Sequence, residues 1–534
     1  MSGRSYSNQS SQVSPTFLLT FRSMACENNN SARPLFYQSV EELSEAIETT
    51  ITGNFPKWIK GTLLRNGPGK FEIGSTSYRH LFDGLALLQQ FVIEDGNVTY
   101  FNKFLRSQTY KRNMKSGTIV ESELGTLGVP DPCKNIFARW FTYFFPKEYT
   151  DNASVNFCCI RGKIYAMTEV PVITEIDPTN LECLDRITLS DAFKGTMKKL
   201  FFSTAHPQED DDGSVYNLAL GYDRENGLVY VITLLPANSG DTEIEKSLDG
   251  GKVVAKIPAS FQHSYSHSFG MTQKYFIFIQ QPLTVNLWKL AASRFVGWSI
   301  LDTFSWDTKT GVNFVVISRE SGEVVRTIKS EHFFFFHVVN AYDEGNEIVL
   351  DICCYSDAGF FQRLYLQEIR EERVPSTSLT AQLRRYRLPI DLETPEATLE
   401  KKPSGNDYEI LSDVCFDLPR INEKYKRLPH RYIYGACSAD NIVDGLMIHK
   451  LIKVDVETKQ SLIWREDECL VSEPVFIPAP EGQKEDDGVV MSSVYDPVKD
   501  NSFLLVLDAR SFTEIARAVV PLRFAPSIHG RFFS

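Results

Sequence analysis

From about residue 35 to the C-terminus, apolar positions fall in short runs separated by Gly, Pro, Asn and Asp, and few stretches keep a helical spacing. Short apolar runs bounded by turn residues predict strands. One theme recurs with different residues each time. Thr174-Glu175-Ile176 turns through Asp177-Pro178-Thr179-Asn180 and returns along Arg186-Ile187-Thr188-Leu189. Val315-Val316-Ile317 turns after Ser318 and returns at Val324-Val325. Ile452 to Val456 leads into Ser461 to Trp464, and Leu505-Val506-Leu507 leads past Asp508 into Ile515 to Val519. In each, an Asp or Ser at the strand end can satisfy its own turn backbone. Strand, polar tip and returning strand, repeated along the chain, predict the outer hairpins of β-propeller blades and an all-β fold.

Two segments break the strand pattern. Asn135 to Tyr149 carries seven aromatic rings beside Lys134, Arg139 and Lys147, and Leu283 to Phe304 carries two tryptophans with Lys289 and Arg294. The first reads either as a buried helix or as an interfacial one, its rings at an acyl boundary and its cations at headgroups. Glu368 to about Asp407 is charged and contains proline, which predicts a solvated linker or edge excursion. Residues 1–34 are polar and predict a disordered segment. The first 26 residues are Ser-rich, hold Arg4 and Arg22 and lack Asp and Glu, a composition that also permits a mitochondrial transit peptide. The length, 534 residues, is that of about three or four ordinary domains. A propeller can absorb it in one radial unit, so residues 35–534 are predicted to form a single domain.

Composition narrows the partners. The chain is 43% hydrophobic and 23% charged with net charge −12, a globular balance without the basic stripe that nucleic acid requires. Nucleic acid is excluded as a partner. No uncharged apolar run reaches the ~18–20 residues that span a bilayer. Peripheral contact through residues 135–149 is therefore the expected form of any membrane attachment. Ten cysteines at irregular spacings form no C-x-x-C pair and read as reduced thiols, which places the protein inside the cell, in mitochondria or cytoplasm. Cys158-Cys159 and Cys353-Cys354 lie in apolar runs and read as buried core thiols. Arg65-Asn66-Gly67-Pro68-Gly69 lacks the P-loop spacing and reads as a tight turn with a structural arginine. Phe82-Asp83-Gly84 reads as a second turn, with Asp83 paired or capping. Glu485-Asp486-Asp487-Gly488 lacks the ligands of a calcium loop and reads as a solvated hairpin.

The candidate chemistry lies in four histidines scattered over more than three hundred residues: His206 in Ser-Thr-Ala-His-Pro, His267 in Ser-His-Ser-Phe-Gly, His337 in Phe-Phe-His-Val-Val-Asn and His529 in Ser-Ile-His-Gly. Neutral imidazole suits iron, zinc and copper alike, so the histidines alone do not name a metal. Their settings, with Arg65 to Gly69, Phe82-Asp83-Gly84, Pro130-Asp131-Pro132-Cys133-Lys134-Asn135 and Ser472-Glu473-Pro474, resemble the carotenoid cleavage oxygenases in their animal branch, from about Phe55 to the C-terminus.

That resemblance implies a seven-bladed β-propeller with helical segments over one face. It implies Fe(2+) held by His206, His267, His337 and His529, with two coordination positions left for dioxygen and water. Glu169, Asp417 and Glu473 would fix the outer ring nitrogens, and Thr168 would face the substrate near the iron. The implied reaction is dioxygen-dependent cleavage of a carbon–carbon double bond in a carotenoid or apocarotenoid. Lys70 to Gly74 and Gln281 to Lys289 look most like the eccentric-cleaving, mitochondrial type. Symmetric β-carotene cleavage and retinyl ester isomerohydrolysis use the same cage, so the cage does not choose among them. A non-catalytic carotenoid-binding propeller is the reading of another class, and the complete ligand set argues against it. Cys133 matches a position open to lipidation in the family. Asp417 stands where the family commonly has Glu, and it reaches its histidine only if the backbone approaches or a water bridges. Gln208 replaces a common His, Leu124 a usual Phe, and Phe201-Phe202-Ser203 a common Asn-Gly-Ala or Asn-Leu-Ala. The last two departures lie where relatives shape the substrate cavity.

Overall fold

The strand Asn97–Phe104 alternates strictly between buried positions and exposed or half-buried ones, as a period-two pattern with one face on the core requires. Its neighbour Leu85–Glu94 is buried at seven consecutive positions, because it lies inside a sheet covered on both faces. A computed structural model describes residues 33–145, 149–193, 195–237, 248–371, 380–391, 394–438 and 448–534. The expected disordered segment or transit peptide in residues 1–34 lies outside them, apart from its last two residues. Arg33–Ser534 forms one compact unit.

Among the described residues the strands make one six-stranded sheet, three five-stranded sheets and three four-stranded sheets, with two smaller sheets of three and two strands. Neighbours in the larger sheets are antiparallel except for Val324–Ser330 with Glu396–Thr398. All four hairpins read from the sequence are present, as Val172–Ile176 with Cys183–Thr188, Val312–Ser318 with Val324–Ser330, Ile448–Asp455 with Ser461–Trp464, and Asn501–Asp508 with Glu514–Val520.

Each large sheet packs its apolar face on the next along the chain. Ala86 and Leu88 meet Phe157 and Ala166, Met167 and Ile173 meet Ala219 and Val231, and Leu220 and Ile232 meet Phe278 and Ile317. The series continues through Val316 with Ile352, Phe334 with Ile433 and Leu451 with Leu505. It returns to its start where Met491 and Val506 pack on Phe91 and Tyr100. The chain ends interlock as well. His529–Phe533 completes the sheet of Gly61–Lys70, and Thr50–Gly53 completes the sheet of Glu514–Val520.

Three sequence expectations change. Arg65 to Gly69 is not a turn: it lies in the strand Gly61–Lys70, whose two neighbours supply the ladder for its backbone. Arg65 is structural as expected, fully buried. The segment after Glu368 is more than a linker, since Gln382–Pro389 is an interior strand that buries Leu383, Tyr386 and Leu388; residues 372–379 lie outside the described set. The acidic hairpin is only partly solvated. Asp486 is buried against Lys453 at 2.7 Å, and Glu485 accepts the amides of Arg431 and Tyr432.

The two aromatic segments do contain helices. Ile136–Phe144 starts at Asn135, whose side chain accepts the Ala138 amide at 3.0 Å. Leu287–Val296 starts at Asn286 and stops at Gly297 in the left-handed region. The helices touch through stacked Phe144 and Phe295 and through Arg294, which donates to the Tyr143 carbonyl at 2.9 Å. The buried-helix alternative for residues 135–149 fails, because none of the residues of Ile136–Phe144 is buried and Phe137 is 86% exposed.

Candidate metal centre

The four histidines come from four different sheets or their approaches. His206 follows Lys199–Ser203, His267 precedes Gly270–Met271, His337 lies in Phe334–Glu344, and His529 opens the terminal strand opposite Asn66. Local irregularities aim them. The ladder register slips between Phe335 and Val338. Ser268 donates to the Phe336 carbonyl at 2.6 Å and accepts the Val338 amide at 3.0 Å, so the residue after His267 pins the backbone on both sides of His337.

The imidazoles converge. One ligand nitrogen from each lies within 4.8 Å of all the others, with Nε2–Nε2 separations of 2.9 Å for His206–His267 and 3.4 Å for His337–His529. The outer nitrogens of three rings meet carboxylates. His267 Nδ1 meets Glu169 at 2.5 Å, His337 Nδ1 meets Asp417 at 2.7 Å, and His529 Nδ1 meets Glu473 at 2.8 Å. Hydrogen-bonding Nδ1 to a carboxylate puts the ring proton there and leaves Nε2 as a bare lone pair. Burial and the neighbouring imidazoles hold His206 and His267 well below the ordinary histidine range, and burial pulls His529 down to about 4. Several neutral lone pairs facing one another at this spacing repel unless a cation sits among them, so the donor set fits a divalent transition metal.

The three carboxylates differ in support. Burial pushes Glu473 up, but Arg420, His529 and Arg65 outweigh it and hold the group far below the usual carboxylate range. Burial is likewise opposed at Asp417 by His337, Tyr355 and the Leu418 amide, and the net shift is downward. At Glu169 burial pushes the carboxyl up to about 8, only partly offset by Tyr265 and His337. A bound dication would supply the missing positive charge.

Asp417 reaches His337 directly, without a bridging water. The backbone beside it is irregular: Leu418 has φ +52° and the register shifts between Asp417 and Arg420. Asp417→Ala is expected to lower iron affinity or activity about 10–100-fold, with Asp417→Glu losing less; an iron titration of both variants against the parent checks the order.

Sequence reasoning missed the residues that hold these carboxylates. The Tyr265 hydroxyl donates to Glu169 at 2.7 Å, and the Tyr355 hydroxyl donates to Asp417. Arg420 grips Glu473 with two bonds of 3.0 and 3.1 Å, and Arg65 donates to the Glu473 carbonyl at 3.1 Å. Tyr265 lies two residues before His267, so its proximity was readable; the others come from distant strands. Thr168 is half-buried beside Glu169. Gln208 donates its amide to the Phe269 carbonyl at 3.2 Å. Leu124 and Phe202 pack against the apolar cluster that holds Phe336.

Two cavities meet at the histidines. An apolar one of about 170 Å³, walled by Phe82, Phe336, Phe360, Leu364 and Val471, opens onto His267, His337 and His529. A polar one of about 440 Å³ opens onto His206, His337 and His529. A second cluster able to hold a metal, Glu466 with Cys469 and Asp496, is already engaged: Arg517 holds Glu466 at 2.6 Å and Lys499 holds Asp496 at 2.7 Å.

The family model described as retinal pigment epithelial membrane protein matches residues 36–534. The chain belongs to the carotenoid cleavage oxygenase family. It is 38% identical over 528 residues to the mitochondrial carotenoid-cleaving dioxygenase of Mustela putorius furo, covering 92% of this chain and 95% of that protein. It is 36% identical over 527 residues to the β,β-carotene 15,15'-dioxygenase of Rattus norvegicus, covering 93% of this chain and 91% of that one. In fold it matches a variant of Synechocystis apocarotenoid oxygenase with a TM-score of 0.76 at 23% identity, covering 94% of this chain and 98% of the other. A cobalt-substituted form of that oxygenase also has a TM-score of 0.76, at 23% identity over 94% of this chain and 98% of its own. The four histidines singled out in the sequence are the four that converge here.

Proposed function

We propose that this protein is an iron(II)-dependent dioxygenase that cleaves a carbon–carbon double bond of a carotenoid or apocarotenoid into two carbonyl fragments. The observation that carries the reading is the convergence of His206, His267, His337 and His529, three of which line an apolar cavity. In this reading those four histidines hold Fe(2+), and Glu169, Asp417 and Glu473 fix the rings of His267, His337 and His529. The bound ion would supply dioxygen activation. The protein's own residues do the positioning. The aromatic walls formed by Phe82, Phe336 and Phe360 exclude water and hold a polyene rod with one alkene beside the histidines. Thr168 is assigned as the short polar side chain facing the substrate.

The packing of seven sheets, each on the next and the last on the first, supports a seven-bladed propeller with the histidines on its axis. The segments Lys70 to Gly74 and Gln281 to Lys289 support eccentric cleavage, and the relative named mitochondrial carotenoid-cleaving dioxygenase supports a mitochondrial location for this chain. The relatives named mitochondrial carotenoid-cleaving dioxygenase and β,β-carotene 15,15'-dioxygenase are of nearly equal identity, 38% and 36%, so cleavage position is the first quantity to measure. Anaerobic reconstitution with iron, followed by product analysis with β-carotene, an apocarotenoid and a retinyl ester, tests the reading. Unequal carbonyl fragments formed only with dioxygen are expected. Retinol released from the ester would replace cleavage with isomerohydrolysis, and a bound carotenoid without products would leave only a carrier.

The paired helices supply the peripheral membrane face in this reading. Phe137, Phe141, Trp288 and Phe295 are each more than half exposed, and a contiguous apolar face beside Arg139 and Lys134 suits a headgroup boundary. Replacing Trp140, Phe141, Phe144 and Phe145 with serine is expected to shift the protein from sedimenting liposomes to the supernatant while cooperative melting persists. A collapse of melting would instead show that the packing of Phe144 on Phe295 supports the fold.

A further inference from the structure

The two cavities at the histidines differ in chemistry, and this difference assigns them different traffic. The apolar cavity has Asp417 as its single carboxylate, already bonded to His337 and Tyr355. A hydrated dication crossing that cavity would lose its water against rings and aliphatic walls that offer nothing in return, a desolvation cost that forbids the path. The larger cavity is lined by amides, hydroxyls and charged groups, including Asn340, Ser268, Gln208, Glu209 and Glu423. Its walls run from Glu423, whose side chain is 56% exposed, down to His529, which is 2% exposed.

The cations along this wall are matched. Arg531 pairs with Glu209, Lys426 with Glu423, Arg427 with Asp211, and Arg420 with Glu473. An unmatched basic wall would repel a dication, and these pairs cancel that field. Gln208 lies on the same wall, two residues beyond His206 and half-buried, with its amide held by the Phe269 carbonyl.

We propose that ferrous ion reaches and leaves the four-histidine site through this polar cavity, by a path separate from the apolar cavity that takes the polyene. The proposal rests on reading those histidines as an iron site. It makes Gln208 and Glu423 determinants of metal exchange.

The test follows iron itself. Folded apoprotein is mixed anaerobically with aqueous Fe2+, separated at intervals by gel filtration and assayed for bound iron; release from the loaded protein to a chelator is followed in parallel. Gln208→Phe narrows the cavity near the histidines, and Glu423→Lys reverses a charge at its exposed mouth. Both are expected to slow uptake several-fold while final iron content matches the parent, and the Glu423→Lys effect should fade as salt is raised. Gln208→Phe should slow release as well. Ile448→Trp, which narrows the apolar cavity, should load at the parent rate while its turnover with carotenoid falls. Parent-like uptake in both polar-cavity variants, equal slowing in Ile448→Trp, or uptake by the parent only during refolding would each overturn the proposal. If Gln208→Phe does not melt cooperatively, Glu423→Lys decides the matter. A parent that takes up no iron either folded or during refolding would instead remove the metal assignment beneath it.

Discussion

His267→Ala protein is expected to emerge from anaerobic reconstitution with no retained iron and no cleavage activity, while the parent retains iron and His332→Ala, at a histidine outside the cluster, matches the parent. The loss should exceed the about 10–100-fold typical of removing a group that only orients a ligand. His267 contributes Nε2 to the cluster and, through Nδ1, connects it to Glu169 and Tyr265. Removing the ring takes away the imidazole hydrogen-bonded to Glu169 and leaves a site of three nitrogens. The effect should also register in stability. Iron at one hundred times its dissociation constant raises the parent's unfolding free energy by about 2.7 kcal/mol, and the His267→Ala melting temperature should not respond to iron. Full occupancy in that variant would mean the four nitrogens do not form the site.

The second large effect concerns Glu473. As the partner of His529 alone, it would be a tuning residue. The structure makes it a fold element as well: Arg65, at 1% side-chain exposure, and Arg420, at 24%, both pair with it, and the Gly530 amide donates to it at 2.9 Å. Removing one partner of a buried ion pair typically costs about 3–5 kcal/mol, because the remaining charge stays buried without compensation. Glu473→Ala is therefore expected to lower the melting midpoint steeply even in the metal-free protein, and Glu473→Gln to fall between it and the parent. Equal melting of metal-free Glu473→Ala and parent would show that Arg65 and Arg420 find other partners.

Much of the site was legible from short motifs, because each histidine sits in a distinctive local setting, Glu169 and Glu473 lie in short breaks between strands, and Asp417 opens a strand. The hairpins were legible for a local reason too: an Asp or Ser capping its own turn leaves a sequence trace. What escaped was set by strands far apart in sequence. Arg420 and Arg65 lie 53 and 408 residues from Glu473, and no local pattern encodes such pairings. Arg65 to Gly69 was misread for the same reason. Gly and Pro signal a turn locally, but here Gly67 and Gly69 have no room for a Cβ against Pro526, Ser527 and Leu87, so close approach of neighbouring chain explains the glycines. The buried strand Gln382–Pro389 was masked by its own arginines. Arg384 and Arg385 look solvated in sequence, yet Arg385 pairs with buried Asp351 at 2.8 Å and Arg384 lies over the Tyr408 ring.

The central claim is a ferrous ion held by four imidazoles and no carboxylate. X-ray absorption at the iron edge of the anaerobically reconstituted parent measures that shell directly. Four imidazole scatterers with their outer-ring multiple-scattering signature are predicted; a shell of two or three imidazoles completed by carboxylate oxygen would contradict the account.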